Sequence, residues 1–170
     1  MEFLPLAPAD DPEVDALCDM CFGPARHQRT ASILRQGAQR LESASFIVRR
    51  EGQLIGAVQC HMLLWRRADG LARDMVLLGP LVSHPDWRDC GIGGGLMNRA
   101  LAAIDAAGLP VMLVGDLSYY GRWGFSAEAT GQWQLPGPVD RARLLLRAQH
   151  PRSWQAAAHF RDPLTDCRAA

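Results

Sequence analysis

Residues 75–95 read MVLLGPLVSHPDWRDCGIGGG, an apolar strand followed by a short polar connection and a glycine-rich entry into a helix. Backbone amides at a helix start have no intrahelical acceptor and carry the positive end of the helix dipole. Glycines leave those amides accessible because no side chain stands in front of them. Each of Gly93, Gly94 and Gly95 costs roughly 1 kcal/mol relative to alanine inside a helix, so the helix needs the room they provide. The stretch therefore predicts an anion-binding site.

The spacing of the glycines distinguishes this stretch from common nucleotide-binding motifs. A P-loop requires Gly-Lys-Ser/Thr, a sequence that the chain lacks. A dinucleotide fingerprint requires glycine or alanine at the position that Leu96 occupies. The pattern that fits is R-x-x-G-x-G, filled by Arg88, Gly91 and Gly93. A nucleotide-binding protein is thus the weakest reading of the motif.

The elements around this stretch predict a mixed sheet. Three consecutive strands joined by short turns imply an antiparallel meander, and the strand–helix–strand unit after it implies a right-handed crossover. The segment 154–160 is ambiguous between strand and helix, and its alanines favour a helix. Strands are predicted over 3–6, 45–50, 53–66, 72–82, 111–114, 132–135 and 139–148, and helices over about 11–22, 30–42 and 92–107.

Pro80 predicts an irregularity in the third strand of the meander. Proline cannot donate to a sheet ladder and is excluded from central strands unless the strand bulges. Gly79 beside it strengthens the prediction of a bulge. The alternative is that the strand simply ends there.

A second motif follows the crossover, where residues 115–125 read GDLSYYGRWGF. Tyr120, Gly124 and Phe125 fill the pattern Y-x-x-x-G-F. This pattern and R-x-x-G-x-G, in this order and separated by one helix and one strand, resemble the acetyl-CoA region of the GNAT superfamily of N-acetyltransferases. The chain looks most like the bacterial YhbS-type branch, and the resemblance is good over about 44–129.

The resemblance implies the fold. We expect an α/β (α+β) GNAT acyl-CoA N-acyltransferase fold, with a central, mostly antiparallel sheet that splays between its fourth and fifth strands and is flanked by helices. We expect one domain over 1–170, with a core over 3–148 and a C-terminal segment over 149–170, whose last residues are frayed.

The resemblance also implies acetyl-CoA as the cosubstrate, with its pyrophosphate on the helix-start amides and its pantetheine arm on the freed strand edge. Asp89 departs from the glycine often found after the motif's arginine. A carboxylate there repels a pyrophosphate unless it points away or caps the helix. The predicted cofactor residues are Leu81, Val82, Arg88, Asp89, Cys90, Gly91, Ile92, Gly93 and Gly94, with Cys90 contributing its backbone amide.

Acetyl transfer to an amine needs a proton donor for the departing thiolate. Tyr120 is the predicted general acid, because a phenol of pKa about 10 suits a thiol of pKa about 8.5. Tyr119 is the alternative, and a purely packing role for Tyr120 remains open. A backbone N–H near Val82 would polarise the thioester carbonyl.

The general base is not determined by the sequence. Asp74, His61, His84 and Asp116 are candidates, although His61 lies in an apolar strand and is better explained as a half-buried structural residue. A water relay, or an amine that arrives deprotonated, is equally compatible. The predicted function is direct attack of a primary amine, from a small molecule or a protein, on the thioester. The alternative is a non-catalytic acyl-CoA-binding or sensor module.

Composition limits the partners of the 170 residues. Lys plus Arg equals Asp plus Glu at 18 each, and no basic run occurs, so we expect no nucleic-acid partner. The lone C-x-x-C of Cys18 and Cys21 predicts core packing and no metal site. With no apolar stretch long enough to span a bilayer and no signal peptide, we expect a cytoplasmic protein without a membrane partner. A homodimer is possible, and Arg26, His27 and Arg29 are candidates to line the acceptor site.

Overall fold

The computed structural model describes residues 1–160, so the predicted fraying of 162–170 lies outside the described residues. Helices and strands follow one another in the predicted order. The strands are β1 (Glu2–Pro5), β2 (Phe46–Arg50), β3 (Gln53–Arg67), β4 (Ala72–Ser83), β5 (Val111–Val114), β6 (Trp133–Gln134), β7 (Leu144–Arg147) and β8 (Ala158–Phe160). The α-helices are α1 (Asp11–Phe22), α2 (Thr30–Arg35), α3 (Ile92–Ala106) and α4 (Leu117–Tyr120).

The strands form one mixed sheet in the order β1-β2-β3-β4-β5-β7. Along this path only β4 and β5 are parallel, and every other neighbouring pair is antiparallel. At one end of the sheet β8 pairs with β3 and also, in parallel, with β6. The predicted mixed α/β class, with a mostly antiparallel sheet and flanking helices, is confirmed. Nowhere in residues 1–160 is there a helix long and apolar enough to cross a membrane.

Strand β4 bulges at the proline, as predicted. Leu78 pairs with Cys60 and Leu81 pairs with Val58, so Gly79 and Pro80 together face a single residue of β3. Gly79 has φ +134°, a conformation that side-chain-bearing residues rarely adopt, so the bulge depends on a glycine there.

Just before the bulge, β4 separates from β5. The two strands pair only at Val76–Val111 and Leu77–Met112. Within the described chain, the β5-facing edge of β4 therefore has no strand partner after Leu77. This is the splay expected between the fourth and fifth strands.

The helices cover the sheet on both faces. Helix α3 packs Leu96, Ala100 and Ile104, all fully buried, against strands β2 to β4. Helix α1 packs against β3 and β4, and its Cys18 is buried in that contact. The Cys21 thiol lies 3.5 Å from the carbonyl oxygen of Ser83. The predicted packing role of the C-x-x-C pair agrees with these contacts.

The predicted helix over 30–42 is wrong in its second half. Helix α2 ends at Arg35, and Gly37 follows with φ +73°. The next residues pair with β3 instead: the Met62 N–H donates to the Gln39 carbonyl (2.8 Å), and the Leu41 N–H donates to the Cys60 carbonyl (2.7 Å). Hydrogen bonds to the sheet thus override the local helical preference.

The predicted strand over 139–148 is too long at its start. Asp140 accepts a hydrogen bond from the Ala142 N–H (3.0 Å) and begins a 3-10 turn over Arg141–Arg143, so the strand covers only Leu144–Arg147. The ambiguous segment 154–160 is extended in its second half, since Ala158–Phe160 pairs with β3. Its alanines therefore do not form a helix.

Candidate functional site

The start of α3 faces an open cleft of about 700 Å³, which we call the glycine cleft. Its walls are the end of β4, the connection to α3, the first turn of α3, and α4. Its lining residues are Leu81, Val82, Ser83, Trp87, Arg88, Asp89, Gly91, Ile92, Gly93, Gly94, Tyr119, Tyr120 and Arg122.

Free backbone donors point out of the first turn of α3. Gly91 occupies the N-cap position with φ +74°, and its carbonyl accepts the first intrahelical bond, from the Gly95 N–H (2.9 Å). Within residues 1–160, the N–H groups of Ile92, Gly93 and Gly94 have no backbone acceptor. These donors, the helix dipole and the Arg88 guanidinium make this end of the cleft suited to an anion.

Asp89 lines the same cleft in a strained conformation. Its φ is +64°, in the left-handed region that glycine adopts freely and that aspartate tolerates better than most residues. Because Gly91 is the N-cap, Asp89 does not cap α3, and its exposed carboxylate is a negative charge on the rim. The backbone geometry gives a physical reason for glycine to be favoured at this position.

The two tyrosines of α4 take different places. A Cβ built on Gly93 would lie 2.8 Å from the Tyr119 hydroxyl oxygen, so that hydroxyl sits over the first turn of α3. A Cβ built on Gly115 would lie 2.2 Å from Cε2 of Tyr120, so the Tyr120 ring packs directly on the backbone where β5 ends. Only glycine at position 115 permits this approach.

Burial changes the acidity of Tyr120. The loss of solvent, together with smaller contributions from the neighbouring Tyr119 and Asp116, raises the pKa of its phenol to about 12. Tyr120 is therefore protonated at neutral pH, as a proton donor must be. It is also a weaker acid than the pKa of about 10 assumed from the sequence.

A second cavity, of about 720 Å³, opens where β4 and β5 diverge, and we call it the splay cavity. Leu81 and Tyr120 line both this cavity and the glycine cleft, so the two spaces meet at these side chains. The splay cavity is lined by Phe22, Arg26, residues 28–32, Arg35, residues 78–81, residues 113–116, Tyr120, residues 138–140 and Arg143.

The profile of the Acetyltransferase (GNAT) family matches residues 12–125, which include both motifs, the splayed strands and α4. The chain belongs to the GNAT family of acetyltransferases. The family relationship predicted from the two motifs is confirmed.

Individual proteins similar to this chain also carry GNAT or N-acetyltransferase names. An uncharacterized N-acetyltransferase, YjhQ of Escherichia coli strain K12, is 27% identical over 139 residues, which is 79% of this chain and 71% of the relative. The E. coli GNAT protein YhbS, solved in complex with CoA, superposes with a TM-score of 0.75 at 20% identity, over 96% of this chain and 91% of YhbS. A GNAT acetyltransferase from Brucella melitensis, solved with acetyl-CoA, gives a TM-score of 0.59 at 24% identity, over 87% and 96% of the two chains.

The structure of this GNAT protein brings most of the predicted site residues together. Every predicted cofactor residue except Cys90 lines the glycine cleft. The Cys90 side chain is exposed and lies outside the lining. Both predicted tyrosines line the cleft, but only Tyr120 reaches the splay cavity.

Of the four candidate bases, only Asp116 lines a space that Tyr120 also lines. Its carboxylate lies 3.2 Å from Nε of Arg143. His61 is more deeply buried than predicted, at 9% exposure, and burial lowers its pKa to about 4. Asp74 is exposed and pairs with Leu64 of β3, and His84 accepts a hydrogen bond from the Asp86 N–H (3.3 Å).

Sequence reasoning anticipated some of the arginines at the site and missed others. Arg26 and Arg29 line the splay cavity as considered, whereas His27 is exposed beside Asp19. Arg35 was missed because the helix was predicted to continue past it. Arg122 was missed although it lies inside the second motif, where it stacks 4.7 Å from the Tyr119 ring. In residues 1–160, no group of three or more His, Cys, Asp and Glu side chains could hold a metal ion.

Proposed function

We propose that the protein uses acetyl-CoA to acetylate a primary amine, which attacks the thioester directly from the splay cavity. The observation that carries the proposal is the meeting of the two spaces at Tyr120 and Leu81. One space is open to an anionic cofactor at a helix start, and the other is large enough for a small acceptor. We further propose that residues 1–170 act as one domain.

The glycine cleft fits the CoA portion of acetyl-CoA. The pyrophosphate would accept hydrogen bonds from the amides of Ile92, Gly93 and Gly94 and lie near Arg88. A Cβ on Gly94 would meet no protein atom within 4 Å, so the space in front of that residue is open. The pantetheine arm would pair with the free edge of β4 at Leu81 and Val82. When bound, acetyl-CoA supplies the activated acyl group.

In this proposal Tyr120 acts as the general acid. It holds a proton at neutral pH and would donate it from its hydroxyl to the departing thiolate. Asp116 is the carboxylate placed to draw a proton from the amine, directly or through water, because it lines the acceptor space beside Tyr120. A backbone N–H near Val82 would polarise the thioester carbonyl.

A non-catalytic acyl-CoA-binding or sensor protein is the second candidate. Two observations favour it: the Asp89 carboxylate lines the cofactor side, and burial weakens Tyr120 as an acid. The two candidates differ in turnover and not in cofactor binding. Cytoplasmic location and a homodimer stay predictions.

The decisive experiment is calorimetric titration with acetyl-CoA of the wild type and of Gly94→Leu. Leucine at this position meets open space and is roughly 1 kcal/mol better than glycine in a helix, so the variant should fold. Its side chain would occupy the proposed pyrophosphate space, and we expect at least about a tenfold loss of affinity, or roughly 1.4 kcal/mol.

Ala102→Leu is the matched control, since Ala102 is exposed on the same helix away from its start, and it should bind like the wild type. Equal binding by Gly94→Leu, or no binding by the wild type, would contradict the proposed cofactor site. Release of free CoA thiol in the presence of primary amines then separates an enzyme from a binding module.

A further inference from the structure

The splay cavity carries an excess of positive charge. Among residues 1–160, four arginines line it, Arg26, Arg29, Arg35 and Arg143, but only two aspartates, Asp116 and Asp140. An excess of one charge in a concave site concentrates ligands of the opposite sign. An arginine is available to a ligand when it has no carboxylate partner within the protein.

Two of the four arginines already have carboxylate partners. Nε of Arg26 lies 2.6 Å from Asp19 and its Nη2 lies 3.1 Å from Asp15, both on α1. Arg143 pairs with Asp116 at 3.2 Å. These contacts account for their charges within the protein.

Arg35 has no such partner in the described part of the chain. Its Nη2 donates to the Ser32 hydroxyl (2.8 Å), and no carboxylate of residues 1–160 lies within ion-pair distance of it. Burial lowers the pKa of the guanidinium to about 10, with the nearby Arg26 acting in the same direction. A charged group removed from solvent without a counter-ion is costly, and an anion bound in the cavity would offset that cost.

Arg29 supplements Arg35 on the same wall. Its guanidinium lies 5.9 Å from the Phe22 ring, and its Nη2 donates to the Phe22 carbonyl (3.4 Å). In the described part of the chain it too has no carboxylate within ion-pair distance. Both arginines come from the segment that follows α1. Arg29 is exposed at the cavity rim, whereas Arg35 is half-buried.

The other wall has the opposite character. Asp116 lines the splay cavity between the end of β5 and the start of α4, and Tyr120 on α4 lies where the two spaces meet. Arg143 contacts only Oδ1 of Asp116 (3.2 Å), so the other carboxylate oxygen can still accept a hydrogen bond from an ammonium group. An anion is favoured beside Arg35 and Arg29, which have no carboxylate partner within residues 1–160. The cavity thus has two poles, one for each end of a molecule that carries both charges.

We propose that the acceptor is a small amino-carboxylate, whose amine lies at the Tyr120 and Asp116 end and whose carboxylate is bound by Arg35 with help from Arg29. This substrate class rests on the proposed acetyl transfer, because it assigns the acceptor of the same site. A guanidinium binds a carboxylate through two parallel hydrogen bonds, which fixes the orientation of the acceptor as well as adding affinity. Polyamines and arylalkylamines, which carry no anionic group, are expected to be poorer acceptors because the arginines do not bind them.

The test uses pairs of amines that differ only in the carboxylate: glycine with methylamine, β-alanine with ethylamine, γ-aminobutyrate with propylamine, 6-aminohexanoate with pentylamine, and phenylalanine with phenethylamine. Transfer is followed as kcat/KM at saturating acetyl-CoA. Binding is followed independently as the shift in melting temperature of the protein saturated with CoA, which requires no turnover. O-phosphoethanolamine and ethanolamine form a further pair that separates phosphate from carboxylate.

We expect the carboxylated member of at least one pair to be preferred by about tenfold or more, the usual effect of losing one charge-assisted contact. In Arg35→Met, which keeps much of the side-chain volume but not the charge, that ratio should fall to within about threefold of one, through KM more than kcat. Arg35→Lys should restore part of it, because the charge returns without the bidentate geometry. Arg152→Gln, at an exposed position on the 3-10 turn Pro151–Trp154, should leave both the ratio and the activity unchanged.

Two results would overturn the assignment. One is that both members of every pair give the same kcat/KM and the same melting-temperature shift in the wild type. The other is a preference for the carboxylated member that survives Arg35→Met. A stronger preference for O-phosphoethanolamine would overturn the carboxylate in favour of phosphate. Failure of acetyl-CoA to bind would contradict the proposed function instead. In that case, a melting-temperature shift that depends on the carboxylate, measured in the protein without CoA, would still support an anion site at Arg35.

Discussion

The glycine cleft and the splay cavity have comparable volumes, share Leu81 and Tyr120, and are built in different ways. The cleft draws most of its walls from the continuous stretch 81–94, and its main donors are backbone amides. The cavity is assembled from four separated parts of the chain, and its charges are on side chains. A backbone site tolerates sequence change provided that the glycines remain, whereas a side-chain site changes specificity with each substitution. We therefore expect the glycine cleft to bind the same cofactor in related sequences, and the splay cavity to set an acceptor specificity particular to this protein.

Tyr120→Phe should have the largest effect, because Tyr120 stands where the two regions meet. We expect kcat to fall by about 100-fold or more, the usual range for a general acid. Acetyl-CoA affinity should change little, since the ring that packs on Gly115 is retained. Steady-state kinetics and calorimetry on the same preparations measure the two effects.

Tyr119→Phe is the matched comparison and should behave in the opposite way. Its hydroxyl lies over the start of α3, so its loss should alter acetyl-CoA affinity more than kcat. If Tyr119→Phe lost turnover and Tyr120→Phe did not, the assignment of the general acid would be reversed.

Acid should lower the stability of the fold through His61, which is buried in β3 near Arg35 and Arg40. Burial, followed by the charges of Arg35 and Arg40, lowers the pKa of His61 from 6.5 to about 4. Between these values the unfolded chain binds a proton that the folded chain does not, so stability falls as pH falls through this window. His61 alone should cost about 2 kcal/mol of unfolding free energy between pH 7.5 and pH 5.

Urea unfolding of the wild type and of His61→Phe at the two pH values isolates this effect. The Nδ1 atom of His61 is buried without a hydrogen-bond partner in the described chain, so an apolar ring should be tolerated. The variant should lose about 2 kcal/mol less on acidification than the wild type. His159→Phe, at an exposed position on β8, should lose as much unfolding free energy on acidification as the wild type. Equal losses in all three proteins would contradict the prediction.

The smallest expected effect concerns the charge on the cofactor side. Asp89→Asn removes the carboxylate and keeps a residue that accepts the left-handed backbone at this position. We expect acetyl-CoA affinity to rise by about threefold to fivefold, or roughly 1 kcal/mol, and the gain to shrink as salt is added.

Asp86→Asn is the control for that change. Asp86 is also an exposed carboxylate on the same connection, but it lies outside the lining of the glycine cleft. It should change the affinity less than Asp89→Asn does. Weaker binding by Asp89→Asn in calorimetric titration would show that the carboxylate assists the cofactor instead of repelling it.

Predictions from local sequence held best where neighbouring residues decide the structure. The hairpin after Arg50, the bulge at Gly79-Pro80 and the glycine entry into α3 each depend on residues within a few positions. The helix predicted over 30–42 failed because its second half pairs with β3, a partner some twenty residues away in the chain. No pattern in 36–42 identifies that partner.

The sequence by itself determined the family, the order of elements and the glycine-rich helix start, because each is encoded in contiguous residues with strict backbone requirements. Tertiary structure alone decided which tyrosine reaches both spaces, that Asp89 adopts a left-handed conformation on the cleft, and that Arg35 has no carboxylate partner within residues 1–160. These properties depend on distances between parts of the chain that are far apart in sequence. Burial and charge pairing arise only when those parts pack together, so the character of the acceptor site is a property of the fold.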